Sequence, residues 1–369
     1  MDIFTPRQVG KSAMVVTPLG LGCGILSRAH ISNDHALATI NAAWDSGVRL
    51  YDTSAWYGVG RSERRLGLAL AYVNGADTPP NRDSFCINTK VGRTLTPEPR
   101  YKESKDTFSP GGQIRNLRDP MSGFRVTFDY SYEAILSQHW DSLQRLGHSR
   151  VDSLTIHDID YGYHNSEQVE AHLKQLSKKG GGGAKGLEDL RDSGTIKAIG
   201  CGCNLESRNA YSWLDTRHED LCQRIADNVD LDFFVIAGGY TLLETRACRR
   251  IFSICEERNI GAIVAAPYAS GWLVTPDESA TYMYDKPSEE IILKSRKMKT
   301  ICEDANVPLA AAAIQFPLAH PNVAAVIPGA KSPYEPTENH RLLNIPIPTE
   351  VWDQMKLQGL LDEAIPTPE

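Results

Sequence analysis

The chain has 369 residues, with 39 basic and 46 acidic side chains and a formal net charge of −7. Hydrophobic residues make up 41% and charged residues 23% of it, a composition that excludes a disordered, collagen-like or disulfide-scaffold protein. The negative charge and the lack of a long Lys/Arg block argue against nucleic acid or an anionic membrane surface as a partner. The length allows either two domains or one large α/β barrel.

No stretch of the sequence predicts a secretory or membrane-spanning segment. Residues 1–11 contain no apolar core long enough for a signal peptide. The most apolar stretch, residues 307–319, is too short to span a bilayer. The eight cysteines are sparse and follow no disulfide-framework spacing. We therefore expect a cytoplasmic protein with reduced cysteines.

Short apolar runs alternate with longer helical patterns along the whole chain. The predicted strands are residues 15–21, 48–51, 85–91, 151–157, 196–203, 233–237, 260–266 and 323–327. The predicted helices are residues 36–44, 62–72, 130–146, 169–190, 208–224, 245–257, 289–304 and 336–343. Eight strand–helix pairs in alternation imply a parallel sheet with right-handed crossovers. They favour an α/β fold of the (β/α)8 TIM-barrel class over a doubly wound sheet.

Three segments interrupt this alternation: residues 92–129, residues 271–287 and the tail 344–369. The first two follow predicted strand ends on the carboxyl-terminal face, where barrel enzymes carry their sites. We expect them to be long loops that cover a substrate, with tolerated surface insertions as the alternative. Residues 180–183, a run of four glycines, predict a flexible surface loop. The whole prediction is a single barrel domain over residues 1–369 with its core at about 15–343.

Polar side chains follow three successive predicted strands. Asp52 follows the second strand, Lys90 ends the third, His157 ends the fourth, and Tyr57 lies five residues after Asp52. In a barrel these positions converge on one mouth. A phenol can donate or accept the proton of a carbonyl/alcohol pair, and a nearby ammonium lowers the pKa of the phenol from its usual ~10. A carboxylate would hold the ammonium in place, and an imidazole would orient the substrate oxygen or relay the proton.

The motifs around these residues resemble those of the aldo-keto reductases. The matching motifs are YDTSAWYG at 51–58, NTK at 88–90, TIHD at 155–158 and VIPGAKS at 326–332. The resemblance implies a tetrad of Asp52, Tyr57, Lys90 and His157, with Tyr57 as general acid/base. The segments at 128–131, 141–147, 156–160 and 310–321 look like the D-threo-aldose 1-dehydrogenase (L-fucose dehydrogenase) group, which includes pyridoxal 4-dehydrogenase-like members.

No G-x-G-x-x-G motif opens a helix after a strand, so the sequence does not support a Rossmann nucleotide site. The resemblance instead implies a nicotinamide cofactor at the barrel mouth. Asn204 would meet the nicotinamide amide, and the ring of Tyr240 would stack on the nicotinamide. The remaining implied cofactor residues are Gly22, Ser270, Gly271, Gly329, Lys331, Ser332 and Asn339.

The choice between NAD and NADP depends on residues 331–339. This segment has Lys331 but no arginine before Arg341 to hold a 2′-phosphate. Glu335 would repel such a phosphate if it faces the ribose, so NAD is favoured and NADP is the alternative. Glu335 has a second interpretation, because carboxylates also favour the start of a helix.

Three further residues adjoin the predicted site and would bind a sugar by ring stacking and hydroxyl hydrogen bonds, or else serve in packing: Trp56, Asp158 and Trp272. No metal site is expected, because Cys201 and Cys203 lack a matching pair of Cys or His ligands.

The resulting hypothesis is an NAD(P)-dependent oxidoreductase, monomeric or homodimeric, that oxidises an aldose of the L-fucose type at C1 to the lactone. A pyridoxal-type or other aldehyde or ketone reductase, or an alcohol dehydrogenase, is the alternative within this class. Two alternatives lie outside the oxidoreductases. One is a Schiff-base aldolase with Lys90 as nucleophile, and the other is a nicotinamide-binding scaffold subunit.

Overall fold

Eight parallel strands form the main sheet of the computed structural model, which describes residues 5–97, 118–119, 123–204, 216–277, 280–282 and 286–369. We label these strands β1 to β8: Leu21–Gly22, Leu50–Asp52, Cys86–Val91, Ser153–Ile156, Ala198–Asn204, Phe233–Ala237, Gly261–Ala265 and Val323–Ile327. Each strand pairs with the next in chain order. Parallel bridges from Leu19 to Val326 and from Gly22 to Gly329 join β8 back to β1. The predicted (β/α)8 barrel is confirmed.

Helices pack around the outside of this sheet. In chain order α1 to α11 are Asn33–Asp45, Arg61–Ala71, Tyr132–Leu146, Ser166–Leu176, Gly183–Asp192, Arg217–Asn228, Ile251–Arg258, Glu289–Asp304, Leu309–Gln315, Tyr334–Leu343 and Thr349–Leu357. The helix α1 contacts α2, α2 contacts α3, and α1 also contacts α10, so the first and last helices of the barrel are neighbours. Among the described residues we find no helix with the length and hydropathy needed to cross a bilayer.

The first predicted strand is wrong in its first half. Val15–Val16 pairs antiparallel with Arg7–Gln8 in a small hairpin, and only Leu21–Gly22 joins the barrel. Pro18 lies between the two short strands and has no N–H to continue a ladder. The hairpin closes the amino-terminal end of the barrel, where Val16 and Met14 belong to the same apolar cluster as Phe233.

The helix predicted at 169–190 is two helices, because α4 ends at Leu176 and α5 begins at Gly183. The glycine run between them forms a tight, packed turn and not the flexible loop predicted for it. A Cβ on Gly180 would lie 2.1 Å from the Lys174 carbonyl oxygen, and one on Gly183 would lie 1.9 Å from that of Tyr130. Only glycine leaves room for these backbone approaches.

Two other helices also begin later than predicted. The region predicted at 245–257 begins as a 3-10 turn, Arg246–Arg249, followed by α7. The helix predicted at 208–224 is described from Arg217 to Asn228, and its predicted residues 208–215 lie outside the described residues.

The long segment after β3 carries its own small sheet. Arg93–Pro97 pairs antiparallel with Phe124–Phe128, and Arg118–Asp119 pairs with the same strand. The predicted loop 92–129 is therefore structured at both ends, while 98–117 and 120–122 lie outside the described residues. The tail 344–369, for which no element was predicted, contains the helix α11. Its Trp352 and Met355 are buried in the core.

The barrel interior changes from apolar to polar along the strands. Side chains alternate between the interior and the helices, so Leu50 and Cys86 belong to the apolar cluster at the amino-terminal end. Two residues further along the same strands stand Asp52 and Asn88, and Lys90 follows at the mouth. The carboxyl ends of the strands therefore hold a buried polar layer.

Candidate active site

Asp52 and Lys90 form a buried ion pair on neighbouring strands. Lys90 Nζ lies 2.9 Å from Asp52 Oδ1 and 2.7 Å from Oδ2, and it also donates to the Thr53 carbonyl oxygen at 2.9 Å. Asn88 Nδ2 donates to Asp52 Oδ1 at 2.7 Å and fixes the carboxylate. An ammonium has three N–H groups, so these acceptors determine its orientation.

The charge of Lys90 is maintained by its neighbours. Burial by itself lowers the pKa of Lys90, but the charges of Asp52 and Tyr57 raise the pKa above its usual value. The ammonium therefore stays protonated over the whole neutral range.

Tyr57 lies in the loop after β2 and faces both Lys90 and His157. The Lys90 Nζ atom is 4.7 Å from the centroid of the Tyr57 ring, and the His157 ring is perpendicular to it at a centroid distance of 5.9 Å. Burial raises the pKa of Tyr57, and the charge of Lys90 lowers it without overcoming burial. The lowered pKa predicted from the sequence is wrong, because desolvation of the phenolate outweighs its attraction to the ammonium.

His157 is held as a neutral ring with a defined tautomer. Burial lowers the pKa of His157 well below its usual value. Its Nε2 lies 3.2 Å from Asp158 Oδ2 and its Nδ1 lies 3.1 Å from Ser54 Oγ. Because an ionised carboxylate only accepts hydrogen bonds, Nε2 carries the proton and Nδ1 accepts from the Ser54 hydroxyl.

Asp158 connects His157 to the residues around it. Its backbone has φ +48°, and its Oδ2 also accepts from the Arg93 guanidinium. Asn204 Nδ2 donates to Asp158 Oδ1 at 2.7 Å and to Asp160 Oδ2 at 2.9 Å. Burial by itself raises the pKa of Asp158, but His157 and Arg93 hold it below its usual value. Burial and the charge of Asp158 raise the pKa of Asp160.

The residues expected to hold a cofactor are partly brought together. Gly22 and Gly329 are paired across the closure of the barrel, and the hydroxyl of Tyr268 donates to Asn339 Oδ1 at 2.7 Å, which ties the loop after β7 to α10. Ser270 and Gly271 follow in that loop with φ +63° and +102°.

The segment after β8 carries Lys331, Ser332 and Glu335. The Lys331 backbone N–H donates to Glu335 Oε2 at 2.8 Å, and the Glu335 N–H donates to the Ser332 carbonyl oxygen at 3.1 Å. The Lys331 side chain itself is 75% exposed. Glu335 therefore turns its carboxylate back over the turn that precedes α10.

Two aromatic residues of the predicted site are buried. Tyr240 is fully buried and its ring packs against Phe252 and Phe316 at centroid distances of 4.8 and 5.1 Å. Trp272 is 4% exposed and its Nε1 donates to Ser295 Oγ of α8 at 3.0 Å. Both rings are packed against other side chains in this structure, and the stacking of Tyr240 on nicotinamide and the sugar contact of Trp272 stay predictions. Trp56, in contrast, is half-buried beside Tyr57.

A model of the Aldo/keto reductase family matches residues 18–357. The chain belongs to the aldo/keto reductases. It is therefore an oxidoreductase of a family that uses nicotinamide cofactors, and the resemblance seen in the motifs is confirmed.

Two relatives align with this aldo/keto reductase over nearly its whole length. A pyridoxal 4-dehydrogenase from Microbacterium luteolum is 33% identical over 358 residues, covering 96% of this chain and 97% of the relative. A D-threo-aldose 1-dehydrogenase from a Pseudomonas species is 33% identical over 369 residues, covering 99% of each.

Solved structures agree with the fold of this aldo/keto reductase. An aldo-keto reductase from Bacillus halodurans in its holo form has a TM-score of 0.68 at 20% identity, covering 98% of both chains. A glycerol dehydrogenase from Gluconobacter oxydans has the same TM-score at 18% identity, covering 100% of this chain and 98% of its own. At such identities the likeness supports the barrel fold and no particular substrate.

Sequence reasoning missed three residues of this site. Asn88 holds Asp52, Ser54 binds His157, and Arg93 pairs with Asp158. The spacing of Asn88 from Lys90 was a usable signal, because residues two apart on a strand share a face. Ser54 lies in a loop and Arg93 begins a short strand outside the barrel, and at neither position does the barrel periodicity reveal the direction of the side chain.

Proposed function

We propose that this aldo/keto reductase oxidises the C1 hemiacetal of an aldose to the lactone, with NAD as the preferred cofactor and Tyr57 as the general base. The observation that carries the proposal is the position of the Tyr57 phenol between the Lys90 ammonium and the His157 ring. The near full-length similarity to a D-threo-aldose 1-dehydrogenase supports the choice of substrate class.

In this proposal Tyr57 moves the proton of the reacting oxygen. Its phenolate oxygen takes the proton of the C1 hydroxyl. A nicotinamide held at the barrel mouth would supply the acceptor for the hydride that leaves the same carbon. Lys90 stabilises the phenolate by its charge, and Asp52 keeps Lys90 oriented through two hydrogen bonds. In carbonyl reduction the same phenol returns the proton.

His157 is held beside Tyr57 by contacts to both of its ring nitrogens. Its Nε2 lies 3.2 Å from Asp158 Oδ2 and its Nδ1 hydrogen-bonds to Ser54 Oγ, and the neutral ring packs against Tyr57. The role of orienting the substrate oxygen, implied by the family resemblance, requires Nε2–H to be shared between Asp158 and that oxygen.

The residues at the ends of β1, β5, β7 and β8 fit a dinucleotide. A Cβ on Gly329 would come within 2.9 Å of Ile25 Cδ1 and one on Gly22 within 3.0 Å of the Ile327 carbonyl oxygen, so close packing at the closure of the barrel favours glycine at both positions. Ser270, Gly271, Lys331, Ser332 and Asn339 would contact the phosphates and the adenosine side. Asn204 uses its Nδ2 for Asp158 and Asp160, and its Oδ1 would accept from the carboxamide.

Glu335 supports NAD over NADP. Its carboxylate covers the Lys331 N–H, the kind of backbone donor that binds a phosphate near a helix start. A 2′-phosphate placed there would meet a negative charge.

Pyridoxal is the second candidate substrate, since the pyridoxal 4-dehydrogenase is equally similar in sequence. Aromatic rings at Trp56, Phe128 and Tyr163 surround Arg93 beside Asp158, and they would also suit an aromatic substrate.

Two alternatives to an oxidoreductase, the Schiff-base aldolase and the nicotinamide-binding scaffold subunit, are disfavoured. A Schiff-base lysine needs a lowered pKa, whereas that of Lys90 is raised. Membership of an enzyme family argues against the scaffold subunit. A single domain, a cytoplasmic location and a monomer or homodimer stay part of the proposal.

The test is the formation of NADH or NADPH with the purified enzyme across aldoses, pyridoxal and simple alcohols. We expect the highest kcat/KM with an aldose and NAD. Turnover of pyridoxal with no turnover of any aldose would contradict the proposal in favour of the second candidate.

A further inference from the structure

Arg93 is a buried cation next to the proposed reaction centre that the proton path does not use. Its side chain is 1% exposed and its guanidinium pairs with Asp158 through Nη2. Within the part of the chain that the structure describes, the Nε and Nη1 atoms of Arg93 are buried and have no hydrogen-bond acceptor. Burying charged donors without acceptors is unfavourable. Arg93 therefore lacks an acceptor that a ligand would supply.

Aromatic rings surround the guanidinium, and the Tyr163 side chain also hydrogen-bonds to it, which still leaves the buried Nε and Nη1 donors without well-aligned acceptors. The Arg93 Cζ atom is 4.7 Å from the Trp56 ring centroid, 5.1 Å from that of Phe128 and 4.5 Å from that of Tyr163. Such rings stabilise the positive charge. The N–H groups, however, lie in the guanidinium plane and bind oxygen atoms.

Asp158 links Arg93 directly to the reacting groups. The Oδ2 atom that pairs with Arg93 also lies 3.2 Å from His157 Nε2, and the His157 ring contacts the ring of Tyr57. One carboxylate therefore joins the Arg93 guanidinium to the His157 ring, which contacts Tyr57.

The charges around Arg93 determine which kind of oxygen atom can accept its free hydrogen bonds. Arg93 is paired with Asp158, Lys90 is paired with Asp52, and His157 is neutral. The paired charges leave no excess positive charge to offset a buried anion. A neutral hydroxyl oxygen therefore fits this place better than a carboxylate or a phosphate.

We propose that Arg93 binds the substrate, with its Nε and Nη1 groups donating to the hydroxyl oxygen on the carbon next to the reacting one. This inference rests on the proposed oxidation of aldoses at C1 and identifies the C2 hydroxyl as the group recognised. Arg93 thereby distinguishes sugars that carry a C2 hydroxyl from simple aldehydes and 2-deoxy sugars.

The first test uses the wild-type enzyme with L-fucose and 2-deoxy-L-fucose. A site that hydrogen-bonds a substrate hydroxyl rejects the analogue that lacks it. We expect kcat/KM to be at least tenfold higher with L-fucose. A ratio below twofold would overturn the role of Arg93, and this comparison needs no variant that might fail to fold.

The second test uses Arg93→Lys, which keeps a positive charge opposite Asp158 but removes these donors. We expect its kcat/KM to fall at least tenfold with L-fucose and less than twofold with 2-deoxy-L-fucose. The matched control is Arg82→Lys, a half-buried arginine that pairs with Asp152 at 2.6 Å near the amino-terminal end of β4. The control should preserve the wild-type preference between the two sugars.

The outcomes separate the two proposals. Equal losses of Arg93→Lys on both sugars would show a purely structural arginine and would leave the proposed function intact. No oxidation of any aldose by the wild-type enzyme would overturn the proposed function and this inference with it.

Discussion

Lys90 Nζ donates to both carboxylate oxygens of Asp52, at 2.9 and 2.7 Å, in a position where both side chains are almost completely buried. Removing or neutralising either side chain would leave the other charge buried without a counterion. The pair therefore links the stability of the barrel to the chemistry at its mouth.

The variant Lys90→Met tests this link. Removing one partner of a buried ion pair costs about 3–5 kcal/mol of unfolding free energy, so we expect a clearly lowered midpoint in urea unfolding. The double variant Lys90→Met with Asp52→Asn should recover most of that stability, because no charge is left unpaired. Its turnover should stay as low as that of the single variant. Recovered turnover in the double variant would argue against a role for the ammonium beyond structure.

The variant Tyr57→Phe removes the proposed acid/base group. We expect turnover to fall by ~10²–10⁴-fold, the usual contribution of general acid–base catalysis, with the dissociation constant of NADH unchanged by fluorescence titration. Tyr72→Phe is the control, because Tyr72 is 58% exposed at the end of α2. Turnover of Tyr57→Phe close to that of the control would exclude Tyr57 from the reaction.

The raised pKa of Tyr57 predicts different pH profiles for carbonyl reduction and for alcohol oxidation. Reduction uses the protonated phenol, which stays fully populated below its pKa, so this group leaves the rate of reduction flat across the neutral range. Oxidation uses the phenolate, whose fraction increases tenfold per pH unit below the pKa. We expect log kcat/KM for oxidation to rise with a slope near one into the alkaline range, beyond the usual tyrosine pKa of ~10. A plateau of the oxidation profile at neutral pH would contradict the raised pKa.

Glu335→Gln should weaken the discrimination against NADP. A unit charge a few ångströms away contributes ~1 kcal/mol even in water, so we expect the ratio of the dissociation constants for NADP and NAD to fall about fivefold or more. Glu350→Gln is a matched control, since Glu350 is also the second residue of its helix, α11. An unchanged ratio in Glu335→Gln would leave the carboxylate with only its structural bond to the Lys331 N–H.

The two tryptophans near the site should respond differently to replacement. Trp272→Phe removes the buried hydrogen bond to Ser295 and should cost about 1–3 kcal/mol of stability, with KM unchanged. Trp56→Phe, in the half-buried position beside Tyr57, should raise KM for the sugar with little loss of stability. Thermal unfolding and steady-state kinetics on both variants check this, and the reverse pattern would place Trp272 at the substrate.

Local pattern was sufficient for much of the architecture. The strands at Phe233–Ala237 and Val323–Ile327 and the helix at Glu289–Asp304 have the predicted bounds, since apolar periodicity depends on neighbouring residues. Local pattern failed at two places. At the glycines before α5 close tertiary contacts ended a helix, and at Pro18 the missing N–H ended a strand.

The sequence by itself determined the barrel, the family and the placement of Asp52, Lys90 and His157 at successive strand ends, because strand order and side-chain alternation are local properties. Only the tertiary structure decided that burial raises the pKa of Tyr57, that Tyr240 and Trp272 face the core, and that Arg93 pairs with Asp158 across 65 positions of the chain. Burial and charge balance depend on groups brought together from distant parts of the chain, and no local pattern records which groups those are.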